Sequence, residues 1–507
     1  MFHQSLFQGY KKHATYTSEL PFGLTKCYII VFFSSFTYHL TMKKVSKTNI
    51  FIILLWATIV CFTMFHHELW RDEAQAWCLV RDLNIFDAFK MTRIEGHPFL
   101  WYLLLIPFAK LGFSVVSMQL ISFIFATTAV CLLIFKSPFN TIEKILICFS
   151  AGMIYYMPVV ARSYSLAPLL IFLIAYFYPQ RKEKPLIYTT LILLLSHTHN
   201  YLLGLSGILF LMFTIETFMS KKVIYKVLST TLLCNFILIF SIFYGVSSEN
   251  YILEDMNYSK IPIEQIVPFV GKVVTLDIFN TINFHNSFTD YIALVLFVVP
   301  LILMTYFFYK NNKKVLIIYL FSICFILFIF SKVYLFGLLY QKIFLMYLIL
   351  ICCYWIQKNE HSKYLNIAKY GFIILFAISI LTSPIIINKE FKYNFSGSKQ
   401  IAEYIKSNLP NEEVFAAYGN PYVYSAISAY LPTKKLYNPI SESYISYFSY
   451  EKNISKKTAI FPEEVKYFII QDKEFDVESI GFKTIFETNK ENLSSVSEKE
   501  VFKLCIE

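Results

Sequence analysis

Between His66 and Trp101 the chain holds six carboxylates, four cations, three histidines and three of its five tryptophans. Asp72 and Glu73 sit at the centre of this stretch, directly after Trp70 and Arg71. A carboxylate can take the proton of an attacking hydroxyl, while a neighbouring cation or metal handles the charge of a departing phosphate. Asp72 and Glu73 are therefore candidate catalytic residues. Further on, Glu95-Gly96-His97-Pro98 combines a glycine, which admits an unusual backbone angle, with a proline, which bars the residue before it from a helix. The resulting sharp turn presents Glu95 as a third candidate catalytic group and His97 as a binding group. Asp72, Glu95 and His97 are also candidate ligands for a divalent metal ion, the one cofactor these residue types suggest. Plainer readings stand beside these: acids at a helix start complement its dipole, and Gly-His-Pro is ordinary turn chemistry.

Three more groups suit a phosphate. Arg162-Ser163-Tyr164 lies between two apolar runs, where a guanidinium can either snorkel or make two parallel bonds to phosphate oxygens. His197-Thr198-His199-Asn200-Tyr201 closes another run; two histidines at i and i+2 do not share a helix face, so His199 is read as lining a cavity and His197 as structural. Lys342 follows a Phe-Gly-Leu turn that also carries Lys332. A cation one turn into an apolar run is costly unless it meets an anion, so Lys342 is a candidate second phosphate contact.

The elements that must position these groups are mostly apolar. Of the 507 residues 56% are hydrophobic, beyond what soluble chains carry, and the excess sits in long runs. Eleven runs are long enough to cross a bilayer, near residues 49–65, 115–135, 145–161, 164–180, 186–200, 201–219, 224–245, 291–309, 315–335, 338–356 and 365–387. The run 98–111 is shorter and reads as a re-entrant helix. Loops at 136–144, 179–185, 220–226, 310–314 and 357–363 hold thirteen Lys or Arg against three acids, which assigns them to the cytoplasm. By the same rule the loop 66–98, the loop 246–290 and the C-terminal region are extracytoplasmic. Within loop 66–98, Trp70, Trp77, Val80 and Leu83 recur at near-helical spacing, which predicts an amphipathic helix along the membrane surface with its tryptophans at headgroup level.

Net charge is +11, but residues 389–507 carry fifteen Lys against seventeen acids, a net of −2. The basic balance thus belongs to the membrane region and reports topology, not nucleic-acid binding. Residues 389–507 alternate helix and strand signals, SGSKQIAEYIKSNLP, VFAAY, KYFIIQ and VFKLCI, and predict a small α/β domain. Residues 1–41 read as an upstream extension before Met42-Lys43-Lys44, and residues 42–388 as the transmembrane domain. The ten cysteines show no framework spacing, and Cys78 and Cys505 are the two expected outside.

The pattern W-R-D-E-A-Q-A-W followed by E-G-H-P, with A-R-x-Y-x-L at 161–166, resembles the glycosyltransferase C superfamily, in particular family 39: protein O-mannosyltransferases, lipid A aminoarabinose transferases and their bacterial relatives. The likeness extends over the membrane region in layout, with its specific motifs around residues 68–101, 161–166 and 197–201. It implies an integral membrane enzyme that takes a sugar from a polyprenyl-phosphate donor on the outer face, with Asp72 as base. Trp70, Arg71, His97, Arg162, Tyr164, His199 and Lys342 are then the substrate-binding set. The partners implied are the donor, membrane lipids and an acceptor that is a protein, lipid or polysaccharide. Where some relatives have a basic residue just after the turn glutamate, this chain has Gly96.

A competing reading is a multi-pass transporter or flippase of a lipid-linked or small polar solute. Such proteins bind near the midplane on broken helices, often in repeated halves. Here the charged residues cluster on one face and the halves do not repeat, which favours the enzyme.

Overall fold

The computed structural model describes residues 46–218, 287–329, 340–358, 364–418, 423–438, 442–448, 462–471, 481–489 and 501–506. The expected extension 1–41, the run 224–245, the loop 246–290 and Lys332 lie outside the described residues. The chain divides at Ile52/Ile53 into two units, and of the first only residues 46–52, the start of the first helix, are described.

The protein is mainly helical and membrane-associated, with a small C-terminal sheet. In chain order the first helices are α1 (Lys47–His66), α2 (Arg71–Asp82), α3 (Ile85–Glu95), α4 (Leu100–Lys110), α5 (Val116–Lys136) and α6 (Thr141–Cys148). They are followed by α7 (Ala167–Phe177), α8 (Pro185–Ser196), α9 (Leu203–Phe218), α10 (Ser287–Asn311), α11 (Lys313–Phe328), α12 (Tyr340–Lys358) and α13 (Leu365–Lys392). Among the described residues four helical stretches are long and apolar enough to cross a membrane: Lys47–His66, Val116–Lys136, Asn200–Thr217 and Leu365–Lys392. A 20-residue helix such as α1 reaches about 30 Å, the thickness of a hydrocarbon core.

Other runs that the sequence reads as spans are not single long helices. The run 145–161 breaks into α6, a π turn at Gly152–Tyr156 and an irregular segment. Pro158 lacks a donor and clashes with the preceding turn, so a helix cannot continue through it. α8 has 12 residues, about 18 Å of rise, which is short of a bilayer core. The re-entrant run 98–111 is the 11-residue α4, likewise short of a crossing.

Local signals set the helix ends around the loop. The Asn84 side chain caps α3 by accepting from the Phe86 and Asp87 amides. α3 ends at Gly96, whose φ of 76° is left-handed, the conformation a glycine was expected to admit there.

The C-terminal region contains α14 (Ser398–Asn408), β1 (Val414–Tyr418), α15 (Val423–Ser428), β2 (Lys435–Asn438), β3 (Ser443–Ile445), β4 (Tyr467–Ile470), β5 (Lys483–Glu487) and β6 (Lys503–Ile506). The sheet order is β3-β2-β1-β4-β6-β5. β1 runs parallel to β2 and β4, and the remaining pairs are antiparallel. Its core joins Ile401 and Ile405 of α14 to Phe415, Ile427, Leu436 and Ile469. The apolar strings VFAAY, YFII and KLCI are the strands the sequence marks; β2, β3 and β5 alternate or are too short to stand out. The expected boundary at residue 389 falls within the last turn of α13, because Pro384 is accommodated inside that helix.

The surface helix of the loop departs from expectation. α2 is not exposed to headgroups: Trp70, Trp77 and Trp101 are 5%, 2% and 2% exposed. α4 and α15 pack against α2 and enclose its apolar face in protein. Cys78 and Cys505 are buried free thiols, Cys78 on α2 and Cys505 on β6 in the core of the sheet.

Candidate active site

Glu73 initiates α2. Its Oε2 accepts from the Trp70 amide at 2.9 Å and faces His67 Nε2 at 3.0 Å, while Oε1 accepts from the Ala161 amide at 2.7 Å. His67 Nδ1 lies 2.9 Å from Glu390 Oε1 on α13, and the Tyr155 hydroxyl donates to the other Glu390 oxygen. Burial opposes a charge on His67, but Glu73 and Glu390 outweigh it and push its pKa up to about 10. Glu73 is wholly buried and both its oxygens are engaged. Its expected catalytic role is thus corrected to a supporting one: it ties the start of α2 to the backbone just before Arg162.

Asp72 faces the other way and is 31% exposed at its side chain. It forms an ion pair with Arg162 Nη1, and Arg71 Nε lies 3.8 Å from its other oxygen. Burial acts to raise the Asp72 carboxyl, but Arg162 and then Arg71 overcome this and hold it below the ordinary carboxylate range. The Arg162 guanidinium lies 5.0 Å from the Trp70 ring centroid and 5.8 Å from that of Tyr164. The Trp70 indole N–H and the Tyr164 hydroxyl are both buried without a hydrogen-bond partner among the described residues. Unfilled buried donors are costly unless a ligand supplies acceptors.

The turn meets this centre. Arg162 Nη2 is 3.4 Å from His97 Nε2, so that nitrogen accepts and the Nδ1 proton points towards Glu95, 3.7 Å away. Burial, Arg162 and Lys342 lower the His97 pKa to about 3, which keeps the ring neutral. Glu95 is held by Gln75 Nε2 at 2.7 Å and by the Tyr102 hydroxyl at 3.2 Å. Burial raises its pKa to about 7, although these two donors favour the charge.

The remaining motifs arrive from behind the turn. Asn200 Nδ2 donates to the Gly96 carbonyl at 2.6 Å, joining residues 197–201 to residues 95–98. His199 is 6% exposed, its Nδ1 accepts from the Tyr201 amide, and its ring lies 6.0 Å from that of Tyr164. Lys342, in the first turn of α12, sits 5.8 Å from the Tyr201 ring centroid and bears on His97.

The structure therefore gathers Trp70, Arg71, Asp72, Glu95, His97, Arg162, Tyr164, His199 and Lys342 in one region. The metal expectation does not fit. Among the described residues no group of three or more His, Cys, Asp or Glu is arranged to hold a metal ion. Asp72 is taken by Arg162 and Glu95 by Gln75 and Tyr102, and a guanidinium beside both repels a cation. Sequence reasoning missed His67, Gln75, Tyr102 and Glu390. Only Glu390 had a signal, a carboxylate at the end of a long apolar run.

No protein-family model matches the chain, and no curated protein matches it.

Proposed function

We propose that the protein is a membrane glycosyltransferase that moves a sugar from a polyprenyl-phosphate donor to a cell-envelope acceptor. The observation that carries this reading is Asp72: a partly exposed carboxylate kept ionised by Arg162, beside unfilled donors and a second cation. In the proposed reaction the acceptor hydroxyl attacks the anomeric carbon and its proton passes to Asp72 as the new C–O bond forms. The bond from that carbon to the phosphate oxygen breaks, and polyprenyl phosphate leaves with the electron pair. Arg162 and Lys342 bind the leaving phosphate, whose negative charge grows during transfer in a region poor in water. Trp70 and Tyr164 offer their free N–H and O–H to donor oxygens, Arg71 and His199 flank them, and Glu95, with neutral His97, orients the acceptor. Sugar transfer by purified protein from a synthetic polyprenyl-phosphate sugar tests the reading. Saturable solute transport with no sugar transferred would sink it.

Removing either cation should weaken donor binding by about 1–3 kcal/mol, the range of a charge-assisted hydrogen bond. Titration of polyprenyl-phosphate sugar into Lys342→Met and Arg162→Gln, each against wild type, measures this. Wild-type affinity in Lys342→Met would mean that the lysine serves only as an anchor.

The same reading puts the site and the C-terminal domain outside the cell, the orientation that the loop charges suggest. A single cysteine at exposed Glu403 should react with an impermeant maleimide in intact cells, and one at exposed Lys182 only after permeabilisation. Protection of position 403 in intact cells would overturn this orientation.

A further inference from the structure

Gln75 stands one turn beyond Asp72 and is 8% exposed. Its Nε2 donates to Glu95 Oε1 and to the Phe448 carbonyl, and its Oε1 accepts from the Phe448 amide, each at 2.7 Å. A carboxamide has one acceptor and two donors, and here all three are assigned. Turning it over would set its oxygen against the Glu95 carboxylate and its NH2 group against the Phe448 N–H. The peptide group of residue 448 therefore decides that Glu95 receives a donor.

Residue 448 lies just beyond β3, in the C-terminal domain, and that domain grips α2 and the segment just before it at other points. The Leu69 amide donates to the Tyr430 hydroxyl at 2.7 Å, Arg81 Nη1 donates to the Ser428 carbonyl at 3.0 Å, and the Ser446 hydroxyl donates to Asp82. The contact at Gln75 is thus one of a set that seats the domain on α2, and it continues to Glu95 in the site.

We propose that Gln75 is a positioning residue through which the seated C-terminal domain holds Glu95 in place, so that the active site is complete only when that domain is docked. This rests on the glycosyl-transfer reading above. Glu95 is faced by Gln75 and Asp72 from α2, by Tyr102 from α4, by His97 from its own turn and by Arg162. Of these, Gln75 alone is oriented by another domain. A donor to a carboxylate favours its ionised form, so losing the donor moves the titration of Glu95 upward.

The test is an infrared titration of the Glu95 carboxyl in the full chain in lipid nanodiscs, assigned by the band that disappears in Glu95→Gln. Gln75→Met keeps the length of the side chain and removes both donor and acceptor. Gln75→Glu keeps an acceptor for Phe448 but puts a second carboxylate beside Glu95. Gln75→Met should raise the Glu95 midpoint by about one pH unit, and Gln75→Glu by more. Hydrogen exchange at the Phe448 amide should quicken in Gln75→Met, and the pH midpoint of sugar transfer should rise by the same amount as the infrared midpoint. An unmoved Glu95 midpoint in both variants, with folding intact, overturns the proposal. A midpoint that moves in protein whose wild type transfers no sugar supports the coupling and overturns the assigned reaction.

Discussion

Asp72→Asn should lower the turnover of sugar transfer by about 100-fold or more without weakening donor binding. Asparagine keeps the size of the side chain and can still accept from Arg162, but it cannot take a proton at neutral pH. Because Arg162 holds the carboxylate below the ordinary range, Asp72 is fully ionised at pH 7, and the substitution removes a base that is entirely in its working form. The substitution also frees Arg162 from a formal charge partner, so its attraction for the donor phosphate is unchanged or greater. A fall in turnover with a constant or lower donor Kd is therefore the expected signature. Asp82→Asn is the control: Asp82 also pairs with an arginine, Arg81, but at the far end of α2. Equal losses in the two variants, or wild-type turnover in Asp72→Asn, would refute Asp72 as the base.

Glu73→Ala should destabilise the fold by about 3–5 kcal/mol, the usual cost of removing one partner from a buried charged network. The substitution leaves His67 Nε2 and the Trp70 and Ala161 amides without a partner at once, and none of them has access to water to compensate. Glu73→Gln keeps an acceptor for one of the two amides and should lose less. Thermal unfolding in detergent, followed by intrinsic tryptophan fluorescence, measures both, since Trp70 immediately precedes α2 and Trp77 lies on it. Equal unfolding temperatures for wild type and Glu73→Ala would show that the network does not hold α2. The wild type should also respond to alkali. The His67 pKa is raised from about 6.5 unfolded to about 10 folded. A group raised on folding lends stability that is complete below the unfolded value and is lost as pH climbs through the folded one. The His67 contribution should therefore persist below pH 6.5 and fade towards pH 10.

The pairing of Asp72 with Glu73 shows where sequence reading reaches its limit. Adjacent residues on a helix point about 100° apart, so one of the two had to face inward, but nothing local says which. The inward one is Glu73, because His67, itself held by Glu390, and the Ala161 amide converge on it. The tryptophans misled in a related way. Trp70 and Trp77 have the composition of a membrane-surface belt, and they are buried because α4 and the C-terminal α15 cover them. The run 145–161 has the apolarity of a span, yet a π turn and Pro158 interrupt it.

The sequence by itself determined whatever depends on neighbours along the chain. The apolar runs, the left-handed turn at Gly96 and the strands VFAAY, YFII and KLCI rest on composition, period and the backbone limits of single residues. The candidate groups were also visible, because charge inside an otherwise apolar chain is conspicuous. Only the tertiary structure decided how those groups meet. Asp72 and Arg162 are separated by 90 residues and His67 and Glu390 by 323, so no local rule connects them. The same holds for Gln75 and Phe448, 373 residues apart. Buried ion pairs and amide bonds gain their strength from the low-dielectric surroundings that packing creates, and that environment exists only once distant segments have assembled.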